Sequence, residues 1–137
     1  MPKPFPLKNK GFHPFGDLIG LEFTKFEKGY SQCVLNVNDK LLNPHGVLHG
    51  GIMYSMADTG MGGAAYSLLE NDESCATIEI KISYFKSVKS GILTCDTRVL
   101  HNGRNISVLE SEIMNGGILV AKAIGTFSIF KIRKISI

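Results

Sequence analysis

The alternation of apolar and polar residues along the chain predicts six strands and one long helix. Two alternating stretches, residues 21–27 and 30–38, are separated by Lys28 and Gly29, which predicts two strands joined by a tight turn. A helix is predicted at about residues 51–69, apolar or small on every side. Four more strands are predicted at residues 77–85, 92–101, 106–114 and 118–130. This order is typical of an α+β fold.

The first of the four later strands alternates strictly and gives a specific expectation about its faces. In TIEIKISYF, one face would carry Ile78, Ile80, Ile82 and Tyr84, and the opposite face would carry Thr77, Glu79, Lys81 and Ser83. The turns between the later strands are predicted at Ser90–Gly91, Asn102–Gly103 and Asn115–Gly116–Gly117.

The interior of the predicted helix contains three glycines and a single charge. Gly60, Gly62 and Gly63 would each cost about 1 kcal/mol relative to alanine, so close approach of neighbouring backbone is expected to offset them. We therefore expect a sheet wrapped around this helix. Asp58 is its only charged residue, and a carboxylate in an apolar segment must be hydrogen-bonded, paired, protonated or placed at a cleft. A functional role and a structural hydrogen-bonding role both remain open for it.

The segment His49–Gly50–Gly51 begins the helix and is a candidate oxyanion site. The first amides of a helix have no intrahelical partner and carry the positive end of its dipole, and glycine lets a ligand approach the backbone. These amides could stabilise a developing oxyanion. The alternative is that the glycine pair only makes a sharp turn into the helix.

The spacing between this glycine pair and Asp58 has a consequence for assembly. Asp58 lies about 10 to 12 Å along the helix axis from Gly50 and Gly51. A reacting carbonyl needs its catalytic group and its oxyanion donors each within about 3 Å, which one chain cannot easily supply. A two-fold homodimer with antiparallel helices would place Asp58 of one subunit opposite Gly50 of the other. We therefore expect an obligate dimer with shared active sites.

Composition narrows the class of protein. The chain has 137 residues, of which 44% are hydrophobic and 20% charged, which fits a single domain over residues 1–137. The first ten residues lack the apolar run of a secretory signal, and no segment stays apolar long enough to span a bilayer, so we expect a cytoplasmic protein without a membrane partner. Cys33, Cys75 and Cys95 contain no Cys-x-x-Cys pair and are expected to be reduced, buried thiols.

Charge and histidine spacing argue against nucleic acid and metal as ligands. The net charge of +3 is modest and lies partly at residues 1–10 and 131–137, which is too weak for nucleic-acid binding but suits a small anionic ligand such as a nucleotide phosphate. His45 and His49 are four apart, but Asn43–Pro44 and Gly46 predict a loop there. Metal ligation at that spacing needs a helix, so no metal is expected.

Two short motifs together with the strand order carry a family resemblance. The run NPHGVLHGG at residues 43–51, followed by ADTG at residues 57–60, resembles the hotdog-fold acyl-CoA thioesterases. The similarity is greatest to the PaaI-type branch of the 4-hydroxybenzoyl-CoA thioesterase superfamily, and it covers most of the chain. It implies an antiparallel sheet around one long helix, a homodimer and often a homotetramer. It also implies hydrolysis of a small or medium acyl-CoA, with aryl acyl groups included, and no cofactor beyond the coenzyme A of the substrate.

The resemblance assigns the catalytic roles residue by residue. Asp58 matches the catalytic carboxylate, acting as nucleophile or as general base for water. Gly50 matches the amide donor to the thioester oxygen, Asn43 the side chain that assists it, and His49 an orienting residue. Thr77 matches a hydroxyl residue that places the water or the substrate.

The resemblance also implies a coenzyme A groove. The loop His101–Asn105, including Gly103, would line it, and Arg104 would meet a phosphate; an ordinary hairpin charge is the alternative for Arg104. The substrate-binding residues on the other side of the groove are Gly51, Tyr84, Phe85 and Lys86, the last three against the pantetheine arm. The segment at residues 85–89 lacks a proline that many relatives have there, which leaves the shape of the groove open.

Two other functions are compatible with these residues. A non-hydrolytic acyl-CoA-binding protein of the same fold would be expected to lack Asp58 or the glycine pair, and both are present. A dehydratase of 3-hydroxyacyl thioesters would need a histidine and an acid, which His49 and Asp58 could supply.

Overall fold

The computed structural model describes residues 11–132, which form a six-stranded antiparallel sheet packed around one long helix. The strand order is β1-β2-β4-β5-β6-β3, and the long helix, α2, contacts all six strands. The predicted α+β hotdog architecture is confirmed. The elements are α1 (Pro14–Ile19), β1 (Leu21–Glu27), β2 (Tyr30–Asn36), a 3-10 turn (Asp39–Leu41), α2 (Gly50–Tyr66), β3 (Glu73–Tyr84), β4 (Ile92–Asn102), β5 (Ile106–Asn115) and β6 (Ile118–Lys131).

The helices depart from prediction at three points. The short helix α1 was not predicted, although Pro14 stands in its first turn and Gly20 ends it in a left-handed conformation, φ 78°. Helix α2 begins at Gly50, one residue before the prediction. It ends at Tyr66, because the amides of Leu68 and Leu69 bond three residues back and close a tight final turn.

The glycines of α2 divide into two groups. A Cβ at Gly60 would lie 2.5 Å from Thr97 Oγ1, and one at Gly63 would lie 2.6 Å from the Phe23 ring. Neighbouring strands therefore pack closely at these two positions, but through side chains and not through the backbone that was predicted. The prediction was wrong for Gly62, whose Cβ would meet no atom within 4 Å because this residue lies on a half-exposed face of α2.

A β-bulge in β3 breaks the predicted alternation. Thr77 pairs with Phe127 and Glu79 pairs with Thr126, so Ile78 is the extra residue, and its side chain is 56% exposed. The shared face predicted for the isoleucines was therefore wrong for Ile78. The bulge also moves Thr77 to the same face as its partner Phe127, which is 3% exposed, and hence toward α2.

The core lies between the inner face of the sheet and α2. Cys33 and Cys95 are buried thiols, as predicted, whereas Cys75 is half-buried, which corrects the prediction for that residue. The largest fully buried side chains include Leu35, Met56, Met61, Leu69, Leu93, Leu109 and Ile113.

Strand β3 is one edge of the sheet. Within residues 11–132 it pairs only with β6, so its other edge offers unpaired backbone groups. No helix in this range is long and apolar enough to cross a membrane. The basic residues at residues 1–10 and 133–137 lie outside the described residues, and the single-domain prediction for the whole chain stays a prediction.

Candidate active site

The start of α2 leaves one backbone amide available to a ligand. The Nδ1 atom of His49, the N-cap residue, accepts a hydrogen bond of 2.8 Å from the Gly51 amide. The proton of the neutral imidazole is therefore on Nε2. The Gly50 amide has no acceptor within residues 11–132, so a ligand oxygen could bond to the Gly50 amide, whereas the Gly51 amide is already occupied. A Cβ at Gly51 would lie 2.9 Å from His49 Nδ1, so glycine there permits the cap.

Tyr84, at the end of β3, packs directly on the helix start. Its hydroxyl donates a hydrogen bond of 2.7 Å to the Gly50 carbonyl, and a Cβ at Gly50 would lie 3.1 Å from Tyr84 Cζ. Burial, and secondarily the nearby Tyr54, raise the pKa of Tyr84 above its usual value, so the hydroxyl stays a donor at neutral pH. Tyr84 was predicted to contact substrate, and its bond to Gly50 was not predicted because it joins residues 34 apart in the chain.

The loop before α2 holds Asn43 in a tight turn. Its Oδ1 accepts hydrogen bonds from the amides of His45, at 2.9 Å, and Val47, at 3.4 Å. Its side-chain NH₂ has no hydrogen-bond partner in the described part of the chain. The predicted loop is confirmed, and His45 and His49 do not share a helix face. No group of three or more possible metal ligands occurs among residues 11–132.

A cleft of about 280 Å³ adjoins the Gly50 donor. It brings the predicted substrate-binding residues Tyr84, Phe85 and Lys86 together with the helix start, and its floor is mainly apolar. The lining residues are Val47, Leu48, Gly50, Met53, Tyr84, Phe85, Lys86 and Ser87.

Asp58 lies about 12 Å further along α2, eight residues of helix beyond Gly50. It is half-buried, and its Oδ1 accepts a hydrogen bond of 2.7 Å from Thr77 Oγ1 on β3. Asp58 Oδ2 has no partner within residues 11–132. This hydrogen bond between Asp58 and Thr77 was not predicted, and it depends on the bulge at Ile78 that turns Thr77 toward α2.

The loop His101–Asn105 lies at the opposite end of the sheet from Tyr84. The Asn105 carbonyl accepts the Ile129 amide, whereas Tyr84 pairs with Ala121, eight residues or about 26 Å back along β6. In a second bulge Leu100 is the extra residue, so that His101 pairs with Val108 on the outer face of the sheet. Arg104 is exposed, and Gly103 bonds to Ile106 to close the turn. This loop is thus on the Thr77 side of the sheet.

The predicted residues consequently form two separate groups in one chain. The helix-start half-site contains Asn43, His49, Gly50, Gly51, Tyr84, Phe85 and Lys86. The carboxylate half-site contains Asp58 and Thr77, with the loop residues His101, Gly103, Arg104 and Asn105 at the same end of the sheet.

Comparison with known proteins identifies the family. Residues 45–122, which include the Gly50 amide and the Asp58–Thr77 pair, match the family model of the thioesterase superfamily. This chain belongs to the thioesterase superfamily. The thioesterase is 37% identical over 116 residues to SSO1253 of Saccharolobus solfataricus, which carries an esterase name; the match covers 84% of this chain and 77% of the relative.

Two further relatives and one solved structure make the class more specific. The thioesterase is 31% identical to the 1,4-dihydroxy-2-naphthoyl-CoA hydrolase of Listeria monocytogenes, over 71% of this chain and 79% of that one. It is 26% identical to the acyl-coenzyme A thioesterase PaaI of Escherichia coli, over 71% of this chain and 68% of that one. The structure of thioesterase HI1161 from Haemophilus influenzae superposes with a TM-score of 0.89 at 25% identity, covering 96% of this chain and 95% of that one. The predicted enzyme class, thioester hydrolase of the PaaI type, is confirmed.

Proposed function

We propose that this thioesterase hydrolyses a small or medium acyl-CoA, aryl acyl groups included, to a free acid and coenzyme A. The observation that carries the proposal is that one helix presents two groups without a hydrogen-bond partner in residues 11–132, the Gly50 amide and Asp58 Oδ2. The thioester oxygen would accept from the Gly50 amide and the Asn43 side chain, at the positive end of the helix dipole. Asp58 Oδ2 would attack the carbonyl carbon or take a proton from the attacking water.

The two half-sites would meet across a homodimer. Because Gly50 and Asp58 are about 12 Å apart in one chain, a single carbonyl cannot contact both. The free edge of β3 supports a two-fold pairing with β3 of a second chain. Antiparallel pairing would set the Thr77 end of one β3 beside the Tyr84 end of the other. Each carboxylate half-site would then face the helix-start half-site of the partner chain.

The same pairing would assemble a coenzyme A groove from both chains. Phe85 and Lys86 lie at the cleft beside Gly50, and Arg104 is on the loop at the Thr77 end. Arg104 could then bind a coenzyme A phosphate. The names of two relatives, a naphthoyl-CoA hydrolase and an acyl-coenzyme A thioesterase, support an acyl-CoA substrate. We further propose a cytoplasmic enzyme that needs no cofactor; assembly of two dimers into a tetramer stays a prediction.

The first experiment tests substrate class and catalyst together. Thiol release is measured with a panel of short, medium and aryl acyl-CoAs for the wild type and for Asp58→Asn. We expect hydrolysis of at least one panel member by the wild type and a loss of about 100-fold or more in kcat for Asp58→Asn, because the isosteric amide cannot act as base or nucleophile. The proposal is contradicted if the wild type hydrolyses no member of the panel, or if Asp58→Asn is as fast as the wild type.

The second experiment tests shared sites by subunit mixing. Asp58→Asn and Gly50→Ala chains are unfolded, mixed in equal amounts and refolded together, with each variant refolded alone as the control. In a mixed dimer one site would have both wild-type residues, so random pairing should restore about a quarter of wild-type activity. A mixture no more active than its components would show that the sites are not shared.

A further inference from the structure

A row of buried hydroxyls and thiols lies under the turn of α2 that carries Asp58. Ser31 on β2, Thr97 on β4 and Ser111 on β5 are register partners across the three strands, and each is 0% exposed. Ser31 Oγ donates to the Gly60 carbonyl at 2.7 Å, and Ser111 Oγ donates to the Ala57 carbonyl at 3.3 Å.

Thr97 and two cysteines complete this row. Thr97 Oγ1 lies 2.7 Å from Ser111 Oγ, and since the Ser111 hydroxyl donates to α2, Thr97 is the donor between them. The thiols of Cys33 and Cys95, partners in the next register pair, both lie 3.7 Å from the Met56 carbonyl. Three strands thus bond to the helix carbonyls at positions 56, 57 and 60, on both sides of Asp58.

The location of these groups is not explained by packing alone. The neighbouring inward-facing positions on the same strands are aliphatic, at Leu35, Leu93, Leu109 and Ile113. An apolar contact leaves a helix free to rotate and slide slightly, whereas a hydrogen bond to a carbonyl fixes a direction. Gly60 permits this approach, because a Cβ there would lie 2.5 Å from Thr97 Oγ1.

We propose that Ser31, Thr97 and Ser111 are positioning residues for the Asp58 carboxylate. They hold the backbone of the 56–60 turn from the sheet side, while Thr77 holds the Asp58 side chain from β3. The carboxylate is thereby fixed both through its backbone and through its own oxygen, which is the support that a catalytic group needs to keep its geometry. This inference rests on the proposed catalytic role of Asp58.

The test compares kcat with stability in matched variants. Ser31→Ala/Ser111→Ala removes both donors to α2, Thr97→Val keeps the shape without the hydroxyl, and Thr97→Ser keeps the hydroxyl. The control is Ser67→Ala: Ser67 donates to the Ala64 carbonyl and accepts the Gly29 amide, so its loss destabilises the same helix away from Asp58. Melting temperature and acyl-CoA hydrolysis are measured at a temperature where every variant is folded.

We expect the double variant to lose about 10-fold in kcat with KM within about two-fold of wild type, because only transition-state geometry changes. Thr97→Val should lose less, Thr97→Ser should recover wild-type kcat, and Ser67→Ala should lower the melting temperature without lowering kcat. Wild-type kcat in the double variant, or an equal loss in Ser67→Ala, overturns the proposal. If the double variant does not fold, Thr97→Val is compared with Thr97→Ser instead. A wild-type kcat in Thr97→Val then overturns the proposal.

Asp58→Asn is measured in the same series so that the two proposals can fail separately. An active Asp58→Asn enzyme refutes the catalytic role of Asp58 and with it this inference. If Asp58→Asn is inactive while the Ser31, Thr97 and Ser111 variants keep wild-type kcat, only this inference is refuted. In the Asp58→Asn background, the Ser31→Ala/Ser111→Ala change should not lower the residual rate further.

Discussion

The two half-sites of this thioesterase lie on one helix but are built from different parts of the protein. The helix-start half-site offers a backbone donor, the Gly50 amide, which exists wherever a helix begins and needs only an approachable residue. The carboxylate half-site offers a side chain, Asp58, in the middle of the same helix, with its geometry set by Thr77 on β3. One half-site uses the end of the helix, and the other uses contacts across the sheet.

This difference determines how each half-site tolerates change. The helix-start half-site is sensitive to added volume, since a Cβ at Gly50 would lie 3.1 Å from Tyr84 Cζ. The carboxylate half-site is sensitive to loss of a polar atom, since the Asp58 carboxylate has a single hydrogen-bond partner among the described residues. Substitutions that add a methyl group at one site or remove a hydroxyl at the other therefore separate the two contributions.

The largest of these effects is expected at Gly50. In Gly50→Ala the added methyl group would lie 3.1 Å from Tyr84 Cζ, so the ring and the helix start must move apart by a few tenths of an ångström. We expect this shift to misplace the amide and to lower kcat by about 10- to 100-fold, less than the loss of a whole oxyanion donor. The Gly50→Ala/Tyr84→Ala double variant removes the collision and should regain part of that loss in steady-state assays. A Gly50→Ala enzyme with wild-type kcat would show that the methyl group does not displace this amide, which alanine retains.

An intermediate effect is expected at Thr77. Thr77→Val keeps the shape of the side chain and removes the donor to Asp58 Oδ1, which should lower kcat by about 10-fold. Thr77→Ser keeps the hydroxyl and is the matched control, expected within about three-fold of wild type. Equal rates for the valine and serine variants would mean that the hydroxyl does not act on the carboxylate.

The smallest effect is expected at Tyr84. Tyr84→Phe keeps the ring against Gly50 and removes only the bond to the Gly50 carbonyl, so kcat/KM should fall by about three-fold. The pKa of Tyr84 is raised above its ordinary 10.0, first by burial and then by Tyr54, so its hydroxyl donates at all lower pH values. The ratio of kcat/KM in the wild type to kcat/KM in Tyr84→Phe should therefore stay constant between about pH 7 and about pH 9. A ratio that changes within this range contradicts the assignment.

Much of the fold follows from local pattern. The strand and turn predictions agree with the structure to within a few residues, because period-2 alternation and Asn-Gly or Lys-Gly turns are properties of neighbouring residues. The short helix α1 was missed because a six-residue helix has too few turns to show a period. Thr77 was singled out only through the family resemblance, and its hydrogen bond to Asp58 was not predicted.

The sequence by itself determined the α+β order, the glycines at the helix start and the isolated charge of Asp58, because each is a local feature. It also determined the distance from those glycines to Asp58, because a helix has a fixed rise per residue. Only the tertiary structure decided which face Thr77 occupies. Strict alternation places Thr77 opposite the isoleucines, and the bulge at Ile78 turns it toward Asp58. A bulge arises from pairing with β6, a strand about 45 residues away, so it leaves no periodic signal in β3 itself. The Gly50 amide differs from Thr77, because it lacks an acceptor within residues 11–132 through a local contact in which His49 caps Gly51 instead.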